Sequence, residues 1–163
     1  MTEIHARDAG ELAALGERLA AALFPGAVVC LRGGLGAGKT TFAQGVARGL
    51  GVFGPVPSPT FVIVAEYPEA RVPLRHVDLY RLERAGEVEA LGLEERVGEE
   101  GAWLVEWPGR AEELWPADRL EIELSEEGQG EERGEVPPGR RLRAHATGPR
   151  HVPLERALRG EGS

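Results

Sequence analysis

The stretch Ala27-Val28-Val29-Cys30-Leu31-Arg32-Gly33-Gly34-Leu35-Gly36-Ala37-Gly38-Lys39-Thr40-Thr41-Phe42 decides how the rest of the chain is read. Ala27 to Leu31 is a short apolar run, the middle is rich in glycine, and Phe42 to Leu50 can continue as a helix, with Gly51 placed for the left-handed position just past its end. The order is strand, glycine-rich turn, helix. Within it, Gly33-x-x-x-x-Gly38-Lys39-Thr40 fills the phosphate-loop (P-loop) pattern. Glycines such as Gly36 and Gly38, with the small Ala37 between them, let backbone N–H groups turn inward around phosphate oxygens. The helix that follows points its positive end at the same anion. Lys39 supplies a point charge for the outer phosphates, and the Thr40 hydroxyl suits Mg²⁺.

Composition sharpens this reading. The chain has 163 residues, with 19 basic and 27 acidic side chains and a net charge of −8. Lys39 is the single lysine, and the aspartates are only Asp8, Asp78 and Asp118, against a strong preference for glutamate. There is no asparagine. Guanine recognition in GTPases typically uses an Asn-Lys-x-Asp element, so the composition favours an adenine nucleotide. The length fits one domain, residues 1–163, able to bury roughly 68–70% of its unfolded surface. The start lacks the apolar stretch of a signal peptide, no run approaches membrane-spanning length, and the lone Cys30 cannot form an intramolecular disulfide. The expectation is a soluble cytoplasmic protein. Its acidity argues against tight nucleic-acid binding by this chain alone.

Outward from the loop, Asp8 to Phe24 reads as an amphipathic helix with Leu12, Leu15, Leu19 and Leu23 on one face and Asp8 with Glu11 in capping-box form. Phe61 to Tyr67 and Val72 to Leu79 read as a hairpin, residues 83–96 as a charged helix, and Ala102 to Trp107 as a buried strand. Leu120 to Leu124 and Leu142 to Ala146 read as further strands, the acidic, glycine-rich residues 125–139 as a mobile loop, and Leu154 to Arg159 as a short closing helix. Strands interleaved with helices predict a single α/β domain of P-loop NTPase type, its sheet mixed but mostly parallel and flanked by helices.

A P-loop enzyme needs a carboxylate near Mg²⁺ and a group to position water. Glu106 closes the cleanest apolar run, and Asp78 is an aspartate where glutamate is the habit. The residues alone leave open which acid serves the metal and which the water. Ser58-Pro59-Thr60 falls where switch loops usually lie, and as plain turn chemistry would be equally ordinary. Trp107 fits either core packing or shielding of phosphates. His76 is expected to pack or hydrogen-bond in the hairpin, and Cys30 to be a small core residue.

Taken together, Gly33 to Phe42, Ser58-Pro59-Thr60-Phe61, His76-Val77-Asp78-Leu79-Tyr80-Arg81-Leu82 and Val105-Glu106-Trp107-Pro108 resemble the TsaE (YjeE) family of bacterial ATPases, over about Asp8 to Arg110. The resemblance implies a small mixed-sheet P-loop fold and Mg²⁺-dependent ATP hydrolysis, weak alone and stimulated by partners. It implies a role in making the tRNA base threonylcarbamoyladenosine, beside a TsaD–TsaB transferase pair that would hold the tRNA. It places Lys39, Asp78 and Glu106 in catalysis and Gly36, Ala37, Gly38, Lys39, Thr40, Thr41, Thr60 and Trp107 on the nucleotide. Thr40 and Glu106 are the Mg²⁺ ligands in this assignment. Two other functions compete: a small-molecule kinase, and a binding module in which ATP acts as a switch.

Overall fold

The structure is a computed structural model that describes residues 1–53, 64–82, 92–93, 96–98, 101–127 and 139–161. In chain order its elements are β1 (Thr2–Ala6), α1 (Ala9–Ala20), β2 (Val28–Arg32), α2 (Lys39–Gly49), β3 (Val64–Tyr67), β4 (Leu74–Asp78), β5 (Ala102–Glu106), a 3-10 segment (Pro108–Leu114), β6 (Leu120–Glu126), β7 (Arg140–Ala146) and, after a 3-10 turn at Pro149–His151, α3 (Val152–Leu158). The strands form one sheet in the order β1-β7-β6-β2-β5-β4-β3. Its centre is parallel, β6-β2-β5-β4, and its edges pair antiparallel, β1 with β7, β7 with β6, and β3 with β4. The expected single α/β domain with a mixed, helix-flanked sheet is the observed one.

The central strands are buried on both faces, which is why they read as unbroken apolar runs rather than alternating ones. Val29 and Leu31 of β2 enter the larger core beneath the helices, with Leu12, Leu15, Leu19, Phe42, Val46, Leu154 and Leu158. Val28 and Cys30 face the opposite way, into a smaller core with Val77, Leu79, Trp103, Val105 and Trp115. There burial pushes the Cys30 thiol up to about 12, so it is an inert packing residue.

α1 begins at Asp8, whose Oδ1 accepts the Glu11 N–H at 2.9 Å, and Glu11 Oε2 in turn accepts the Arg7 N–H at 2.7 Å. That is a capping box displaced by one residue on its return bond. The helix ends at Ala20, short of the expected Phe24, which Pro25 in any case keeps out of the helical region. The last turn tightens through Ala22 N–H to the Leu19 carbonyl and Leu23 N–H to the Ala20 carbonyl. α2 ends as expected, with Gly51 at φ 87° and bonds from Gly51 N–H to the Arg48 carbonyl and from Val52 N–H to the Ala47 carbonyl, the two links of a Schellman motif.

α1 and α2 cross without room for side chains at the contact. A Cβ on Gly45 would stand 2.1 Å from the Ala13 carbonyl oxygen, and one on Gly16 2.4 Å from that of Phe42. This crossing seats α2, and hence its first turn, against the sheet.

The sequence expectations for the second half of the chain and for the first strand differ from the structure in part. Ser125 and Glu126, read as loop, belong to β6, because they pair with Arg141 and Arg140 and the Glu127 N–H closes the hairpin on the Gly139 carbonyl at 2.9 Å. β1 and the 3-10 segment were not read from sequence at all. The rest of the acidic loop, residues 54–63 with Thr60, and most of the charged helix at 83–96 lie outside the described residues.

Asp118, without a reading in the sequence, joins the C-terminal turn to the sheet. His151 is 1% exposed; its Nε2 accepts the Val28 N–H at 3.0 Å, so its proton sits on Nδ1, 2.8 Å from Asp118 Oδ1. Burial lowers the His151 pKa, against the opposing pull of Asp118. The unfolded chain, with histidine near its usual 6.5, therefore takes up this proton first. Stability from this pair is expected to be complete above about pH 6.5 and lost as pH falls through the lowered folded value. His151→Phe should flatten that part of a melting-temperature profile, while costing roughly 1–3 kcal/mol for the unpaired Val28 N–H. An unchanged slope would remove His151 as its source.

Candidate nucleotide site

β2, β4 and β5 run parallel, so their carboxyl ends lie on one edge of the sheet, where ligands of open α/β sheets usually bind. β2 ends at Arg32 and opens into Gly33 to Gly38, and α2 starts at Lys39. β4 ends at Asp78 and β5 at Glu106, directly opposite each other in register. Gly36, Ala37, Gly38, Lys39, Thr40, Thr41, Asp78, Glu106 and Trp107 thus share one edge.

The loop needs glycine at two positions for steric reasons. Gly38, the N-cap of α2, has φ 102°, and a Cβ there would meet Leu12 Cδ2 at 2.5 Å. Gly33 has φ 150°, and its Cβ would stand 2.5 Å from the Leu124 carbonyl oxygen. The first turn of α2 leaves its N–H groups without intrahelical partners, and no side chain caps them.

Lys39 is buried, 6% exposed. Its Nζ donates to the Gly33 carbonyl at 2.7 Å and lies 3.7 Å from the centre of the Trp107 ring. Burial lowers its pKa, and the charges of Glu106 and Asp78 pull it back up. An ammonium held by one carbonyl, one ring face and two nearby acids is placed to meet a multiply charged anion.

Asp78 is half-buried, and desolvation raises its pKa, reinforced by the Glu106 charge and opposed by the Tyr80 N–H that Oδ1 accepts at 2.9 Å. Glu106 is 3% exposed, and its Oε2 lies 2.6 Å from His76 Nε2. His76 does hydrogen-bond, as expected, but across to β5 rather than within the hairpin. The signal was alternation: His76 and Asp78 share a strand face, and β5 places Glu106 beside both.

Trp107, directly after β5, has φ 58° and ψ 48°, the one left-handed non-glycine residue among those described. Such a residue costs on the order of 1–2 kcal/mol and persists where its surroundings fix it. Here its ring meets Lys39 Nζ and lies tilted by 43° against the ring of Tyr80, centroids 4.9 Å apart. Sequence reasoning also missed Arg140, whose Nη2 donates to the Gly36 carbonyl at 3.1 Å. Among the described residues, no three His, Cys, Asp or Glu side chains gather as a metal cage, and no helix is long and apolar enough to cross a membrane.

Fold and site define an α/β protein built on a single mixed sheet, with a glycine-rich loop and buried lysine facing strand-end carboxylates. The family described as "Threonylcarbamoyl adenosine biosynthesis protein TsaE" matches residues 6–134. The chain belongs to that family. It is 46% identical over 121 residues to the "tRNA threonylcarbamoyladenosine biosynthesis protein TsaE" of Bacillus subtilis, covering 74% of this chain and 75% of that one. It is 50% identical over 103 residues to the protein of the same description from Synechocystis, covering 61% and 65%. The crystal structure of Bacillus subtilis YdiB superposes with a TM-score of 0.80 at 34% identity, over 99% of this chain and 96% of that one.

Proposed function

We propose that this protein binds ATP with Mg²⁺ at the Gly33–Thr41 loop and hydrolyses it in support of tRNA threonylcarbamoyladenosine formation. The observation that carries the reading is the placement of Lys39, beneath the glycine-rich loop and beside Asp78 and Glu106. In this reading the loop and the first turn of α2 bind the phosphates, with Lys39 neutralising the outer ones. Thr40 and Glu106 hold the cation. A hydroxyl and one or two carboxylates suit a hard ion that takes its remaining oxygens from phosphate and water, so no protein cage is required. Mg²⁺ there supplies charge neutralisation on the transferring phosphate. Asp78, the carboxylate with a raised pKa, orients the attacking water, and Trp107 keeps bulk water from the phosphates. His76 fixes one oxygen of Glu106 and leaves the other for the metal. Thr60 would belong to a switch segment outside the described residues.

The partner in this reading is a TsaD–TsaB-like transferase complex in the cytoplasm, which carries the tRNA. A chain of net charge −8 is poorly suited to hold a polyanion itself. ATP turnover is expected to be slow alone and to rise about tenfold or more when the TsaD–TsaB pair is added, read by phosphate release. Equal turnover with and without the pair would overturn the coupling and leave nucleotide binding standing.

A further inference from the structure

The glycine-rich loop is held from outside by the root of the β6–β7 hairpin, far away in sequence. Leu124 of β6 backs Gly33 so closely that its carbonyl oxygen stands 2.5 Å from where a Cβ would be. From the first residue of β7, Arg140 Nη2 donates to the Gly36 carbonyl at 3.1 Å, while Nη1 donates to its neighbour's carbonyl, Gly139, at 3.2 Å. The same guanidinium lies 3.8 Å from Glu126 across the hairpin. Its Nε is 3.6 Å from the place of a Cβ on Gly38. Arg140 therefore spans from a strand anchored in the sheet to the middle of the loop.

That bond sets the orientation of one peptide plane. In a trans peptide the C=O and the next N–H point in opposite directions. With the Gly36 carbonyl turned out to Arg140, the Ala37 N–H turns inward, where it donates to the Gly34 carbonyl at a long 3.3 Å. Gly36 sits at φ 77° with nothing within 4 Å of its Cβ position, so the peptide is unpacked on its Gly36 side, while Ala37 on the other side is buried in the core. A glycine with that freedom could flip the plane and lose an inward donor.

We propose that Arg140 is a positioning residue for the phosphate loop: by fastening the Gly36 carbonyl it holds the Gly36–Ala37 peptide, and with it the turn from Gly34 to Ala37, in one orientation before nucleotide arrives. It acts through the backbone, by way of the Gly36 carbonyl. Arg140 lies beyond the family match at residues 6–134. This role for Arg140 rests on the nucleotide-binding reading above.

The test compares wild type with Arg140→Met, Arg140→Lys and Glu126→Gln in the full chain. A non-hydrolysable ATP analogue with Mg²⁺ is titrated calorimetrically, ATP turnover gives kcat and KM, and melting reports folding. Pre-orientation predicts that Arg140→Met weakens analogue binding and raises KM about tenfold, with kcat changed less than about twofold. Arg140→Lys, which keeps one donor, should recover part of the loss, and Glu126→Gln, which loosens the hairpin pair alone, should bind as wild type. Wild-type affinity in Arg140→Met overturns the inference while nucleotide binding stands. Affinity lost in step with melting temperature, in Glu126→Gln as well, assigns Arg140 to hairpin stability and also overturns it. No binding by wild type overturns the nucleotide reading and this inference together.

Discussion

Lys39→Met is expected to lower affinity for an ATP analogue on the order of 100-fold, with the protein still folded and its melting temperature little changed. The substitution keeps an unbranched side chain and removes the ammonium, with its bond to the Gly33 carbonyl and its contact with the Trp107 ring. Each hydrogen bond from a charged donor contributes roughly 1.5–3 kcal/mol, and in this site the ammonium meets phosphate in partly desolvated surroundings. Stability should hardly follow, because burial already disfavours the ammonium and a neutral side chain relieves that cost. Lys39→Arg is not expected to restore binding. The space between the Gly33 carbonyl and the Trp107 ring fits a compact ammonium, and a planar fork presents its donors elsewhere. Calorimetric titration beside thermal melting checks both variants, and full affinity in a folded Lys39→Met would remove the lysine from the site.

Gly45→Ala is expected to cost about 3 kcal/mol, although helix propensity alone predicts a gain of about 1 kcal/mol for the same change. The two arguments have opposite signs, which makes the measurement decisive. The new methyl would stand 2.1 Å from the Ala13 carbonyl oxygen, a rigid backbone atom with no rotamer to give way. α1 and α2 must separate, disturbing Phe42, Val46 and Leu15 in the core between them. For a chain of this size, the melting temperature should fall by roughly 6–12 °C. Gln44→Ala, one residue away and exposed, should be neutral or slightly stabilising. A Gly45→Ala protein as stable as its parent would mean the helices cross more loosely than described.

The parts of this fold that could be read in advance are those whose signal is local. The strand, glycine-rich turn and helix around Lys39 carry a pattern with a steric reason at each glycine. α1 carries its leucine periodicity and Asp8 cap, and β5 its unbroken apolar run. β1 was missed because five residues at a sheet edge, two of them exposed, offer too short an alternation. The left-handed Trp107 and the 3-10 segment after it have no strong local code.

For the site, residue types pointed to Lys39, Thr40, Asp78 and Glu106, and the structure gathers them on one edge. What sequence could not supply is register. That Asp78 stands opposite Glu106 follows from parallel pairing of β4 with β5, and the His76–Glu106 bond depends on the same alignment. Arg140 and Gly36 are 104 positions apart, joined only by the way the β6–β7 hairpin meets the loop.

The most direct measurement is a crystal structure of the protein with Mg²⁺ and a non-hydrolysable ATP analogue. The phosphates are expected against the backbone N–H groups of Gly36 to Thr40, Lys39 on the outer phosphates, and the metal on Thr40 and Glu106. Phosphates bound anywhere else on the molecule, or a loop left empty at saturating analogue, would contradict that placement.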